Sequence, residues 1–271
     1  MARLGDNRWG KSAVRLSKIH RSDPGDGFSD LTVQVLLEGD VAAGHLEGDN
    51  SAVLPTDTMK NTVYGLAQDH LDDDLEAFAA LVCDHFLQGD QVTGATVGIS
   101  ERLWSRHDAH GFIGGGSEHR TARVVSGEST TTWAGIDGLV VLKTTGSAFS
   151  GFPKDRFTIL PETDDRILAT SVTATWRYSS VPEDTTRAWE VARKTLVERF
   201  FADWSASVQH QGWLMGVALL EAIPEVDTVD FHLPNQHHLG FDLTRFGMED
   251  HGVVFQPVSE PYGDIGFTVT R

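Results

Sequence analysis

The sequence predicts an α+β protein made of two tandem ββααββ modules, residues 1–136 and 137–271, whose antiparallel sheets are backed by helices. Two observations support this. Segments of alternating hydrophobicity flank a stretch with apolar residues at helical spacing, and the same order of elements occurs again in the second half. No clear sequence identity links the halves, so the repeat is one of element order alone. The 271 residues are enough to bury a sizeable core.

In the first module, residues 12–20 and 31–37 alternate and predict two strands. A helical region is expected from about Thr58. Its apolar stripe at 3.6-residue spacing consists of Leu71, Leu75, Phe78, Val82 and Phe86. Strands are predicted again at residues 91–104 and 121–133. The glycine run 114–116 lies between them and is interpreted as a hairpin turn, because no helix or Gly-Lys-Ser/Thr sequence follows it.

In the second module, residues 138–143 and 167–178 are expected to form strands. Two helices follow, at 185–204 and 208–222, and Ser207 is the expected N-cap of the second. The residues of the first helix expected to face inward are Trp189, Val191, Ala192, Leu196 and Phe200. The predicted closing strands are 228–233, 240–243, 252–256 and 265–269.

Composition restricts the class of partner. The net charge is −17, from 39 acidic and 22 basic residues, which argues against a nucleic-acid partner. No apolar run approaches 18 residues, so no membrane span is expected. Cys83 is the single cysteine and lies in an apolar helical pattern, which is typical of a buried structural thiol and is compatible with a reducing cytosol.

Histidines raise the question of a metal site. The candidate groups are His107 with His110, and His232 with His237 and His238. A spacing of three residues on a loop is weak evidence, and the chain has neither a cysteine pair nor a His-Glu-x-x-His helix. We therefore predict no metal ligands.

The segment Pro55-Thr56-Asp57-Thr58 ends an apolar run and opens the first predicted long helix. Thr56 or Asp57 is the expected N-cap. A helix start also presents backbone N–H groups that can hold an anionic ligand. Taken alone, the pattern favours capping over ligand binding.

Five separated motifs, in order along the whole chain, resemble the urate oxidase (uricase) family. They are Arg8-Trp9-Gly10-Lys11-Ser12-Ala13-Val14-Arg15; Thr56-Asp57 with Lys60-Asn61-Thr62; Phe149-Ser150-Gly151-Phe152 with residues 160–168; residues 205–209; and Leu233-Pro234-Asn235-Gln236-His237. Each motif alone is weak evidence for this family, but the occurrence of all five in the same order is specific. The resemblance implies the tunnelling fold (T-fold) and oxidation of urate by O2 to 5-hydroxyisourate and hydrogen peroxide, without metal, flavin or haem.

The resemblance assigns a proton relay to Lys11, Thr56 and His237. Partly desolvated lysine can act as a base through a threonine hydroxyl, and histidine can change protonation near neutral pH. Asn235 and Thr56 would hold O2 or the attacking water, and Asp57 would bind urate through its backbone N–H.

The substrate-binding residues implied by the resemblance suit a flat, oxygen-rich anion. Phe149 offers a stacking face, and Arg166 a planar fork that lysine could not reproduce. Gln209 carries a donor and an acceptor on one amide, and capping by Ser207 would leave the Val208 N–H directed at a ligand oxygen. Taken singly, a core phenylalanine, an Arg166 paired with Asp164 or Asp165 and a solvated glutamine would each be the simpler interpretation.

Family members are homotetramers with active sites between subunits. The resemblance therefore implies that Lys11, Thr56 and Asp57 come from one chain and the remaining site residues from its neighbour. A metal-dependent T-fold pterin or purine enzyme and a non-catalytic purine-binding protein are the alternatives. The chain ends without a Ser-Lys-Leu address, so a cytoplasmic setting is expected.

Overall fold

The computed structural model describes residues 2–22, 25–72, 74–202 and 204–271, and the fold is α+β, as predicted. The first elements are β1 (Trp9–His20), β2 (Gly27–Gly39), α1 (Ala42–Leu46), α2 (Thr56–His70), α3 (Leu75–Phe86), β3 (Val92–Arg106) and β4 (Phe112–Ser126). They are followed by β5 (Thr130–Lys143), β6 (Leu168–Tyr178), α4 (Thr185–Ala202), α5 (Val208–Ala222), β7 (Val226–His232), β8 (Asn235–Gly240), a 3-10 helix (Leu243–Phe246), β9 (Phe255–Gly263) and β10 (Gly266–Thr270).

The chain divides into two compact units. The first unit comprises the chain up to Ile136 together with Thr175–Trp189, and the second comprises Asp137–Ala174 and Glu190–Arg271. The predicted module boundaries, 1–136 and 137–271, stay a prediction. Among the described residues, no helix is long and apolar enough to cross a membrane.

In the first unit, β1, β2, β3 and β4 pair in that order, each antiparallel to the next. The inward face of β2 carries Val33, Val35 and Leu37, all fully buried. Met59 of α2 and Phe78 of α3 belong to the same apolar core. The sheet is thus covered on one face by the two helices, as alternating strands and an amphipathic stripe require.

In the second unit, β7 pairs with β10, while β8 pairs with β6 and β9, all antiparallel. Helix α5 packs on β7 and β10. Its approach is close, because a Cβ added at Gly212 would lie 2.5 Å from the Phe267 ring, and one added at Gly216 would lie 2.7 Å from the Val269 side chain. Glycine at both positions therefore sets how near this helix lies to its strands.

Two predictions were wrong: a turn at residues 114–116 and a single strand at residues 121–133. The glycine run 114–116 lies inside β4, and the turn before it spans His107–Gly111, where Asp108 accepts hydrogen bonds from the His110 and Gly111 N–H groups. Gly114 lies opposite Trp104 and His119 lies opposite Arg102, so Gly115 and Gly116 lie in a bulge of β4 rather than in a turn. Residues 121–133 are not one strand either: β4 ends at Ser126 and β5 begins at Thr130, across the polar turn at Gly127.

The helical predictions need smaller corrections. The apolar stripe is buried, but it spans two helices: Leu71 is the C-cap of α2, and Asp74 caps α3 by accepting from the Ala77 N–H. Helix α4 ends at Ala202 rather than residue 204, and residue 203 lies outside the described part of the chain. Of its predicted inward residues, Val191 is only half-buried.

Near the C-terminus, the predicted strand 240–243 is absent from the described residues. Strand β8 ends at Gly240, and Asp242 caps a 3-10 helix by accepting from the Thr244 N–H. Strand β9 begins at Phe255, three residues later than predicted. Cys83 is buried, as predicted, and burial raises the pKa of its thiol to about 12, which suits a structural role.

Candidate active site

The first unit holds Lys11, Thr56 and Asp57. Lys11 lies near the start of β1 and is half-buried, and the other two form the first turn of α2. The two elements are joined by hydrogen bonds from Trp9 Nε1 to the Leu54 carbonyl (3.1 Å) and from the Tyr64 hydroxyl to the Arg15 carbonyl (2.6 Å). Strand β1 and the α2 start are thereby fixed against each other.

The predicted N-cap of α2 was wrong. Pro55 occupies that position with φ −59° and ψ 134°, it makes no side-chain cap, and Thr56 is the first helical residue. The first helix bond runs from the Met59 N–H to the Pro55 carbonyl, so the helix supplies no acceptor for the N–H groups of Thr56 and Asp57. The Thr56 hydroxyl is therefore not used for capping, and the helix start suits an anion.

The Asp57 carboxylate is held by its own helix. It accepts from Lys60 Nζ at 2.5 Å and from Asn61 Nδ2 at 3.0 Å. The hydrogen bond from Lys60 makes the largest contribution to lowering the pKa of the Asp57 carboxyl, and the charge of Lys11 makes the smallest. Together these effects outweigh desolvation, which raises the pKa. The carboxylate stays ionised and turned to Lys60, which leaves the Asp57 backbone N–H as the group that can meet a ligand.

In the second unit, Phe149 and Arg166 are in contact. The Arg166 guanidinium carbon lies 5.3 Å from the centroid of the Phe149 ring, and Phe152 stacks on the same ring at 4.9 Å with an interplanar angle of 18°. Backbone hydrogen bonds of 2.8 and 3.0 Å between Phe149 and Thr163 fix the two segments. The Arg166 cation and the Phe149 ring therefore lie next to each other in the second unit.

Arg166 is not paired with its acidic neighbours in the described part of the chain. Asp165 instead accepts from the Thr145 hydroxyl at 2.6 Å and from the Gly146 N–H at 2.7 Å, and these bonds lower the pKa of its carboxyl. Within the described residues, the buried Nε atom of Arg166 has no hydrogen-bond partner. Burial lowers the pKa of the guanidinium, so the side chain carries a desolvation cost that an anionic ligand would offset.

The start of α5 follows the prediction. Ser207 is the N-cap and accepts from the His210 N–H at 3.1 Å, so neither the serine side chain nor the helix engages the Val208 N–H. Gln209 is exposed on the first turn. The Ala148 N–H donates to the Ser205 carbonyl at 2.9 Å, which ties this helix start to the segment that carries Phe149.

Asn235 and His237 lie at the beginning of β8. Asn235 is buried, and its Nδ2 lies 3.5 Å from His237 Nδ1. Asn235 pairs with Thr170 of β6, only four residues after Arg166. A cavity of ≈ 450 Å³ borders His237, with Tyr262 in its wall.

Two features of the site were missed from the sequence. Lys60 and Asn61, at i+3 and i+4 from Asp57, could have been recognised by helical spacing as its partners. Thr170, whose buried hydroxyl lacks a hydrogen-bond partner among the described residues, gave no local signal because β6 meets β8 only in the folded unit. No group of three His, Cys, Asp or Glu side chains close enough to hold a metal ion occurs in the described part of the chain.

Each unit presents its own set of chemical groups. The second unit presents a ring, a half-buried cation, an amide and a helix start, which together suit a planar anion with several oxygens. The first unit presents an ammonium group, a hydroxyl and backbone N–H groups. The second unit adds an amide beside an imidazole at Asn235 and His237.

Comparison with known proteins gives consistent matches. The sequence model of the family described as Uricase matches residues 7–134 and 132–266. The uricase of Arthrobacter globiformis is 42% identical over 99% of this chain and 90% of its own. The uricase of Dictyostelium discoideum is 38% identical over 100% of this chain and 98% of its own. The uricase of Aspergillus flavus is 36% identical over 97% of this chain and 95% of its own.

Solved structures agree with the sequence matches. The crystal structure of uricase from Arthrobacter globiformis superposes with a TM-score of 0.96 at 41% identity, covering 100% of this chain and 96% of that one. A uricase from Bacillus fastidious has a TM-score of 0.78 at 23% identity, covering 97% and 93%, which supports the fold alone. These similarities confirm the predicted fold class.

Proposed function

The chain belongs to the uricase family, and on this premise we propose that it is a urate oxidase that works without a metal or an organic cofactor. Urate, O2 and water would give 5-hydroxyisourate and hydrogen peroxide. Urate loses two electrons to O2, which becomes peroxide, and water supplies the added hydroxyl group. The observation that carries the proposal is Arg166, a half-buried cation held over Phe149 with a buried Nε atom that lacks a partner among the described residues.

Substrate binding falls to the second unit and to Asp57. Urate would lie on the Phe149 ring with two of its acceptors facing the Arg166 fork. The Val208 N–H and the Gln209 amide would bind another edge of urate. The Val208 N–H is available because the helix, capped by Ser207, offers it no acceptor. The Asp57 N–H would complete the recognition, since its own carboxylate is held by Lys60.

Proton transfer falls to Lys11, Thr56 and His237. The Thr56 hydroxyl is not used for capping, so it can pass a proton between urate and Lys11. Deprotonated urate is richer in electrons and gives them up to O2 more readily. Asn235, 3.5 Å from His237, would hold O2 and then water above the ring, with Thr56 on the same side.

The direct test is to mix metal-free purified protein with urate and to follow urate absorbance and peroxide together. We expect one peroxide for each urate consumed, at a rate that chelator leaves unaltered. Treatment with chelator followed by return of added Zn²⁺ or Cu²⁺ is the matched control. Activity that appears only after metal is added would overturn the cofactor-free proposal and favour a metal-dependent enzyme.

We further propose a homotetramer in which Lys11, Thr56 and Asp57 of one subunit face the remaining site residues of another. Co-expression of Lys11→Ala chains with Arg166→Ala chains tests this division. Random mixing would leave both halves intact in roughly a quarter of the sites. At urate concentrations well below the raised KM of Arg166→Ala, where each variant alone is nearly inactive, the mixture should recover that share of activity. If every site were built within one chain, mixing would restore nothing. The cytoplasmic location stays a prediction.

A further inference from the structure

Next to Lys11, strand β1 contains one more residue than the stretch of β2 with which it pairs. Lys11 lies opposite Val35 of β2, and Val14 lies opposite Val33, so three steps along β1 cover two steps along β2. Ala13, within this bulge, has φ 55° and is the one non-glycine residue with positive φ in the described part of the chain. A left-handed backbone is unfavourable for alanine, so the bulge is maintained by its surroundings.

The extra residue decides which face of the sheet Lys11 occupies. Directly opposed residues of an antiparallel pair share a face, and Val33 and Val35 are fully buried on the face that α2 covers. Lys11 therefore lies on the α2 face. Without the bulge, counting back from Val14 would set Lys11 opposite Leu36, on the other face.

Neighbouring residues fit this placement. Trp9, opposite Leu37, packs on the core and donates to the Leu54 carbonyl at 3.1 Å, just before α2 begins. At Gly10 a Cβ would lie 2.0 Å from the Val35 carbonyl oxygen, so only glycine allows this approach of the backbone. Ser12, inside the bulge, accepts from Gln34 Nε2 at 2.8 Å.

We propose that the Ser12–Ala13 bulge is a positioning element that turns Lys11 towards Thr56 at the start of α2. The proposal depends on the proposed role of Lys11 in proton transfer. Ala13 touches no reacting group, and it acts through the register of the residues before it. Bulges commonly re-aim a side chain beside an active site, and a misplacement of about 1 Å can cost about a hundredfold in rate.

The test is a double-mutant cycle between Ala13→Val and Lys11→Ala. A β-branched residue is strongly disfavoured at positive φ, so Ala13→Val should lower kcat at least about tenfold with a smaller change in KM. Ala13→Gly and Ala13→Asn tolerate the left-handed backbone and should retain kcat. In the Lys11→Ala background, Ala13→Val should cost nothing further, because the group it positions is gone.

The matched control is Gly116→Val, which places a side chain at the positive-φ glycine of the bulge on β4. It should lower Tm and leave kcat unchanged. If Ala13→Val does not fold, Ala13→Leu, which lacks the β-branch, takes its place. An equal loss of kcat from Ala13→Val with and without Lys11, or an equal loss from Gly116→Val, would overturn the positioning role. Full turnover in Lys11→Ala would instead overturn the proposed role of Lys11 itself.

Discussion

Replacing Lys11 or Thr56 with alanine is expected to lower kcat at least about a hundredfold, the scale of lost general acid–base catalysis. Urate binding should stay measurable, because the stacking ring and the cation lie in the second unit at Phe149 and Arg166. Anaerobic titration with urate separates the two effects, since without O2 the substrate binds but does not turn over. A large fall in kcat with a nearly constant Kd is the expected result.

The physical reason lies in the start of α2. Pro55 occupies the N-cap without a side-chain bond, so the Thr56 hydroxyl is available for a ligand rather than for the helix. Thr56→Ser keeps the hydroxyl and should retain most of the activity, whereas Thr56→Val keeps the shape and should not. Full activity in the Lys11→Ala, Thr56→Ala double variant would end the relay proposal.

Each substitution has a matched control in the same element. Lys18 is also on β1, but its Nζ donates to the Ala67 and Leu71 carbonyls at 2.9 and 2.6 Å, at the C-terminal end of α2. Lys18→Ala should therefore lower Tm and leave kcat unchanged. Thr58→Ala, two residues beyond Thr56 on the exposed side of the helix, should change neither.

Most elements could be predicted from the sequence, because strand alternation and helical spacing are local. Helix α5 matches its prediction from Val208 to Ala222, including its Ser207 cap. The errors arose where the structure of a segment depends on a strand that is distant in the sequence. Glycines at 114–116 resemble a turn, yet they form a bulge that depends on pairing with β3. Whether glycine opens a turn or a bulge is decided by the partner strand.

The candidate site divides in the same way. The site residues could be named because five motifs resemble the uricase family, and the structure brings Phe149 to Arg166 and Asn235 to His237. The role of Ala13 could not be read, because a bulge leaves no mark in hydrophobic alternation unless the register of β2 is known. Thr56 or Asp57 was expected to be the N-cap because threonine and aspartate are preferred at that position, but Pro55 occupies it.

Replacing Arg166 with alanine is expected to weaken urate binding by about 2 kcal/mol or more, which corresponds to at least ~30-fold in Kd. The guanidinium is the cation in contact with Phe149, and burial has already removed part of its hydration. Its loss removes a planar fork for paired acceptors from a chain whose net charge of −17 otherwise repels an anion. Anaerobic urate titration measures the Kd, and steady-state kinetics should give a parallel rise in KM.

Arg156→Ala is the matched control, because it removes the same charge from a guanidinium that also lies over a phenylalanine, 4.5 Å from the Phe157 ring, but in an exposed position. Kd should be unchanged there. Arg166→Lys separates charge from shape: it keeps the cation and loses the fork, so it should bind urate with intermediate affinity. If Arg166→Ala binds urate as the unmodified chain does, the Arg166 guanidinium serves only the fold and the urate site lies elsewhere. If Arg166→Lys binds fully, charge alone is recognised, and the planar fork is not what selects a purine with paired oxygens.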